Sequence, residues 1–154
     1  MGIFWPTSSP AYLGFEGRTF NGAHNSFAKI GMIGSGLAGL NDRVCTSGGF
    51  SGNNCRQTVT EQFLFLPEPF GGPLFKTEHM DGIAAVGQGD SGGPVFHAGL
   101  SSTFARGVIS AIDVGTGRAT ECIGHVPEGR QCSDWAYHTQ LQPVLDTLGM
   151  NIIH

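Results

Sequence analysis

The chain has 154 residues, 13% of them charged, and a formal net charge of −4, a length that suits one domain able to bury roughly 68 to 70% of its unfolded surface. Mild acidity without Lys/Arg clusters argues against nucleic acid or an anionic membrane as partner, and no run of about 20 apolar residues offers a membrane span. With 25 glycines, 11 phenylalanines and sparse charge, the expected class is all-β, many short strands joined by turns.

Met1 to Pro6 lack the basic stretch and apolar run of a signal peptide. Taken literally they keep the chain in the cytoplasm, unless they are an internal start within a longer secreted precursor. Residues 1–11 are expected to be irregular, ahead of one domain over 12–154. Tyr12-Leu13-Gly14 and Phe27 to Met32 read as short strands, and Arg43-Val44-Cys45 enters a hairpin that returns through Arg56 to Thr60. Gln62 to Leu66 continues as an apolar strand, Pro67 to Pro73 reads as a loop, and Leu74 to Thr77, Val95-Phe96 and Gly107 to Ser110 read as further strands. Leu141, Val144, Leu145 and Leu148 repeat at the spacing of one helical face, so Gln140 to Leu148 is expected to be a C-terminal core-packing helix.

The four cysteines flank two loops of similar size, Cys45 with Cys55 and Cys122 with Cys132. Two local disulfides are the simplest of three connectivities, each contributing about 2.5 to 3 kcal/mol, and they imply an oxidising compartment. The other readings are four free thiols or a zinc site, although neither pair has the short spacing that chelation prefers. No metal or cofactor is expected.

Gly89-Asp90-Ser91-Gly92-Gly93-Pro94 concentrates the chemistry. A serine attacking a carbonyl needs N–H groups aimed at the developing negative charge, and glycines permit the dihedrals that aim them. Gly-Asp-Ser alone also suits an ordinary surface turn. All six residues, preceded by Ile83 to Gly87 and followed by Val95-Phe96, resemble the active-site serine motif of the chymotrypsin-like serine proteases. The likeness extends from about Tyr12 to His154. Val44 to Cys55 resembles the disulfide hairpin that opens the second β-barrel of secreted actinobacterial proteases of the streptogrisin and α-lytic type. Gly107 to Ala111 resembles the strand beside the substrate, and Gln140 to Gly149 the terminal helix.

This resemblance implies one antiparallel β-barrel, the second half of a double barrel, with a C-terminal helix, and an extracellular serine endopeptidase acting on polypeptides. It implies Ser91 as nucleophile, the N–H groups of Gly89 and Ser91 as oxyanion hole, and Asp90 as a structural carboxylate beneath the turn. Ser110 and Ala111 would line the substrate cleft, and Ala85 would sit at the base of a pocket preferring an apolar side chain. Ile112 stands where such proteases often have glycine, which weakens extended pairing with substrate.

In that family the catalytic histidine and aspartate come from a first barrel, far upstream of the serine. Only 90 residues precede Ser91, and none carries the Ala-Gly-His-Cys or Ala-Ala-His-Cys signature. His24 is expected in a loop, His79 in a solvated polar turn, His97 at a rim, and His125, His138 and His154 in loops or the tail. Asp42 and Asp113 read as turn carboxylates. The expectation is a barrel lacking its general base, with an apolar face left for a missing N-terminal barrel; the alternatives are a non-catalytic peptide-binding remnant and a single-barrel hydrolase with a rearranged triad using His24, His79 or His97.

Overall fold

The computed structural model describes residues 18–65, 72–98, 103–115 and 117–152. The strand expected at Tyr12 to Gly14, most of the proline-rich loop, and His154 lie outside them. In chain order, β1 (Arg18–Phe20) and β2 (Lys29–Gly31) pair as a separate antiparallel ribbon. There follow β3 (Gly34–Ser35), β4 (Arg43–Gly48), β5 (Gly52–Leu64), β6 (Leu74–His79) and β7 (Val86–Gly87), then β8 (Pro94–Ala98), β9 (Thr103–Ile112), β10 (Ala119–Thr120), β11 (Cys132–Ser133), β12 (Trp135–Gln140) and α1 (Leu141–Leu148). Six strands in the order β12-β6-β5-β4-β8-β9, joined by the β9–β12 pairing, close an antiparallel barrel. β3 adds to β9 in parallel at Phe104 and Ala105, and β10, β11 and β7 form a small side sheet.

Closure follows from alternation. Along β12, and along β9 as far as Ile109, every second residue is buried, so one face of each strand turns to the interior. Val44, Val59, Phe75, Val95, Ile109 and Ala136 fill it. A second cluster, Met32, Phe96 and Ala105, is covered by Leu141 and Leu145 of α1. The helix therefore packs on the barrel by Leu141 and Leu145 of the face its sequence marked, while Leu148 at its end is exposed.

As expected, Gln62 continues the returning strand: β5 runs unbroken to Leu64, and register shifts near Glu61 let one long strand bend rather than stop, while Leu66 lies outside the described residues. Two expectations change. His138 is not in a loop; it points into the barrel from β12 and is fully buried. That strand escapes a search for apolar alternation because its inward positions are Ala136, His138 and Gln140. His79 is not solvated either, since β6 extends beyond Thr77 and leaves it 3% exposed, its N–H bonded to Asp134 O at 2.9 Å.

A polar chain crosses the interior. Gln57 Nε2 donates to Thr46 Oγ1 at 2.9 Å, and Thr77 Oγ1 donates to Gln57 Oε1 at 2.9 Å. Because that spends the hydroxyl proton, His138 Nε2 must carry its own and donate to Thr77 Oγ1, 2.8 Å away. The buried Nδ1 is then a bare lone pair with no partner.

Candidate active site

Ser91 sits in the turn between β7 and β8. Two tight bonds shape it, Asp90 N–H to Gly87 O at 3.1 Å and Gly93 N–H to Asp90 O at 3.0 Å. Two more fasten it to β9, Gly92 N–H to Ile109 O at 2.9 Å and Ile109 N–H to Gly93 O at 2.8 Å. Gly89 has φ +91°, and a Cβ there would meet the Phe50 ring at 2.5 Å, so conformation and space both demand glycine. Ser91 is exposed. Its Oγ, its N–H and the N–H of Gly89 have no hydrogen-bond partner among the described residues. A hydroxyl and two free N–H donors thus share one rigid turn.

What makes the turn rigid lies beneath it. Asp90 is 1% exposed, and its carboxylate is saturated with donors. Oδ1 accepts from the N–H of Phe50 at 2.9 Å and of Ser51 at 2.8 Å; Oδ2 accepts from Gly87 N–H at 2.8 Å, Ser51 Oγ at 2.5 Å and Arg130 Nη2 at 3.0 Å. A buried carboxylate is tolerable only with such compensation. Arg130 is equally well used: Nε donates to Gln88 O at 2.8 Å, Nη1 to Ile123 O and His125 O at 2.8 Å each, and Nη2 also to Ser51 Oγ at 2.7 Å. Arg130 belongs to the loop closed by Cys122–Cys132, so that disulfide loop delivers the countercharge of the serine turn.

Both expected disulfides form, Cys45–Cys55 across the β4–β5 hairpin and Cys122–Cys132 between β10 and β11. Ala85 is fully buried within the barrel cluster, its N–H bonded to Ser133 O at 2.7 Å. Ser110 and Ala111 are half-buried near the end of β9. Ser110 Oγ lies 2.7 Å from Thr139 Oγ1 and accepts from Thr139 N–H at 3.1 Å, and Ala111 pairs with Tyr137. Ile112 packs its side chain against the barrel interior.

No described imidazole bonds to Ser91 Oγ. His24 and His125 face each other, ring centroids 6.2 Å apart. His79 Nδ1 accepts from Asp81 N–H at 3.2 Å, and burial lowers its pKa. His97 Nδ1 donates to Arg43 O at 2.8 Å. His138 is locked in the interior, where burial pushes its pKa down to about 3. Asp42 caps its own turn through Gly39 N–H at 2.8 Å. Asp113 Oδ2 accepts from Tyr137 OH at 3.3 Å, and burial followed by that carboxylate raises the phenol's pKa. No carboxylate–imidazole–hydroxyl relay exists among the described residues.

Neither a protein-family model nor a curated protein matches the chain. Among solved structures it is similar to Nocardiopsis protease (NAPase), with a TM-score of 0.55 and 23% identity over 86% of this chain and 58% of that one. It is also similar to Thermobifida fusca protease A, with a TM-score of 0.54 and 22% identity over 86% of this chain and 60% of that one. The fold is that of the chymotrypsin-like proteases. The chain spans about three fifths of the length of these two enzymes.

Sequence reasoning missed Arg130, Phe50 and Ser51. One signal was present: a carboxylate expected beneath the serine turn needs a cation, and the chain has 8 Lys and Arg in all. Which of them folds back to it is a tertiary fact.

Proposed function

We propose that this chain carries the nucleophile half of a secreted serine endopeptidase. Ser91 Oγ attacks the scissile carbonyl and forms an acyl-enzyme, and the N–H groups of Gly89 and Ser91 hold the oxyanion of the tetrahedral intermediate. Ser110 and Ala111 line the acyl side of the cleft, where substrate backbone adds as a strand, and Ala85 floors a pocket for an apolar side chain. The imidazole that takes the Ser91 proton, and the carboxylate behind it, come from a partner N-terminal barrel. Two disulfides support an oxidising, extracellular home.

The observation carrying this reading is an exposed hydroxyl beside two N–H groups that have no partner among the described residues, on a turn anchored by a buried ion pair, with no described histidine bonded to it. Absence of the base costs about 10⁶-fold in turnover. Fluorophosphonate labelling followed by peptide mass spectrometry tests the assignment. Ser91 is expected to label far more slowly than in a complete serine protease, yet ahead of Ser110 and Ser133. Rapid stoichiometric labelling overturns the external base; labelling of Ser91 no faster than those two overturns the nucleophile.

The missing base equally favours a peptide-binding barrel that has lost hydrolysis. Adding a first barrel in trans separates the two, because a half-enzyme gains turnover and a binding remnant does not. For His79 and His97 a rearranged single-barrel triad is disfavoured by their engagement elsewhere, and no hydrogen bond joins His24 to Ser91, the His24 ring lying 6.2 Å from that of His125.

A further inference from the structure

The serine turn is wedged between two strands. A Cβ on Gly93 would meet Ser47 O of β4 on one side and Ile109 Cδ1 of β9 at 3.1 Å on the other. If the acyl part of a polypeptide lies along Ser110 and Ala111 of β9, the part beyond the scissile bond must leave over the β4–β5 turn. There Gly48 abuts the Asp90 carboxylate, and a Cβ on Gly49 would stand 3.4 Å from Gly89 O.

The leaving path does not open onto a flat surface. The β1–β2 ribbon bends over it and is held down by Asn53 N–H to Gly22 O at 2.6 Å and Asn53 Nδ2 to Asn21 Oδ1 at 2.5 Å. Gly52, at φ +77°, lies so close beneath that a Cβ would strike the backbone of His24 at 2.5 Å and Ala23 at 2.7 Å. Between ribbon and hairpin is a cavity of about 210 Å³ lined by Phe20, His24, Phe27, Ser47, Gly49 and Gly52. Its aromatic rims are bare, Phe27 88% and Phe20 51% exposed. The His24 ring and the Ser47 hydroxyl make no hydrogen bond among the described residues. The volume falls below the roughly 300 Å³ of small-molecule sites and suits a single side chain.

We propose that this cavity is the subsite for an apolar side chain, aromatic or branched, one or two residues beyond the scissile bond of the polypeptide substrate, with the β1–β2 ribbon as its outer wall. The assignment rests on the endopeptidase reading above. Such a side chain would remove Phe20 and Phe27 from water at the place where the substrate's continuation must run.

The test is calorimetric, with the full chain carrying Ser91→Ala so that no bond is broken. Three synthetic peptides share one acyl-side sequence; the first stops at the scissile position, the second continues through Gly-Gly and the third through Phe-Phe. The Phe-Phe peptide is expected to bind about tenfold more tightly than the Gly-Gly peptide. Phe27→Ala, at a position too exposed to threaten folding, and Ala23→Trp, which fills the cavity, should each erase most of that difference while leaving the affinity of the shortest peptide unchanged. Equal affinity for the two long peptides, or a preference for Phe-Phe that survives both variants, overturns the subsite and leaves the endopeptidase reading standing. Failure of all three peptides to bind overturns the subsite and the claim that this chain by itself forms the acyl side of the cleft; the endopeptidase reading is then judged separately by the turnover gained on adding a first barrel in trans.

Discussion

The guanidinium of Arg130 lies 3.0 Å from the carboxylate of Asp90, the residue before Ser91, and the two side chains are 1% and 0% exposed. A charge pair so enclosed ties the shape of the serine turn to a loop some forty positions away in sequence. Removing one partner leaves the other charge buried and uncompensated. Arg130→Met and Asp90→Asn are each expected to cost about 3 to 5 kcal/mol in denaturant unfolding, and the double variant clearly less than the sum of the two. Additive losses would show that the pair does not act as a unit.

Because Arg130 sits inside the Cys122–Cys132 loop, the two disulfides should differ in effect. Cys-to-Ser replacement of either pair is expected to lower stability by about 2.5 to 3 kcal/mol through loop entropy. Only loss of Cys122–Cys132 should also disturb the amide resonances of Gly89 and Ser91. Equal disturbance by loss of Cys45–Cys55 would break the proposed link between that loop and the turn.

Gly89→Ala tests the turn itself. At φ +91°, with the Phe50 ring 2.5 Å from the added carbon, alanine is expected to cost roughly 1 to 3 kcal/mol and to abolish the preferential fluorophosphonate labelling of Ser91. Unchanged labelling would mean that the Gly89 N–H is not part of the reactive geometry.

The buried His138 sets a pH dependence. Its folded pKa of about 3 lies below the ordinary value of 6.5, so between these values the unfolded chain binds a proton that the folded barrel refuses. Stability is therefore fully present above pH 6.5 and falls as pH drops toward 3. At ~1.36 kcal/mol per pH unit, the interval of 2.5 from 6.5 to 4 amounts to about 3 kcal/mol from this residue. His138→Gln should lower stability at pH 7 but lose about 3 kcal/mol less than the parent between pH 7 and 4. Parallel pH profiles for the two proteins would exclude His138 as the source.

Much of the barrel was legible from the chain alone. The hairpin from Arg43 to Thr60, the strands around Phe75, Val95 and Val108, the helix face of Leu141 and Leu145, and both cysteine pairs depend on neighbours in sequence, through side-chain periodicity and short loops. The turn around Ser91 was legible too, since its glycines answer to local dihedrals. What local pattern cannot express is a buried polar group, whose partner lies elsewhere in the chain. β12 was missed because its inward residues His138 and Gln140 are paid for by Thr77 and by the backbone of Ala38, not by apolar character. Arg130 was missed because nothing near it in sequence names Asp90 as its partner. The chain by itself determined where a glycine-rich turn carrying Ser91 can form; only the closed barrel decided which cation holds it and that no described imidazole bonds to its hydroxyl, because desolvated charges and hydrogen bonds are satisfied through space and not along the backbone.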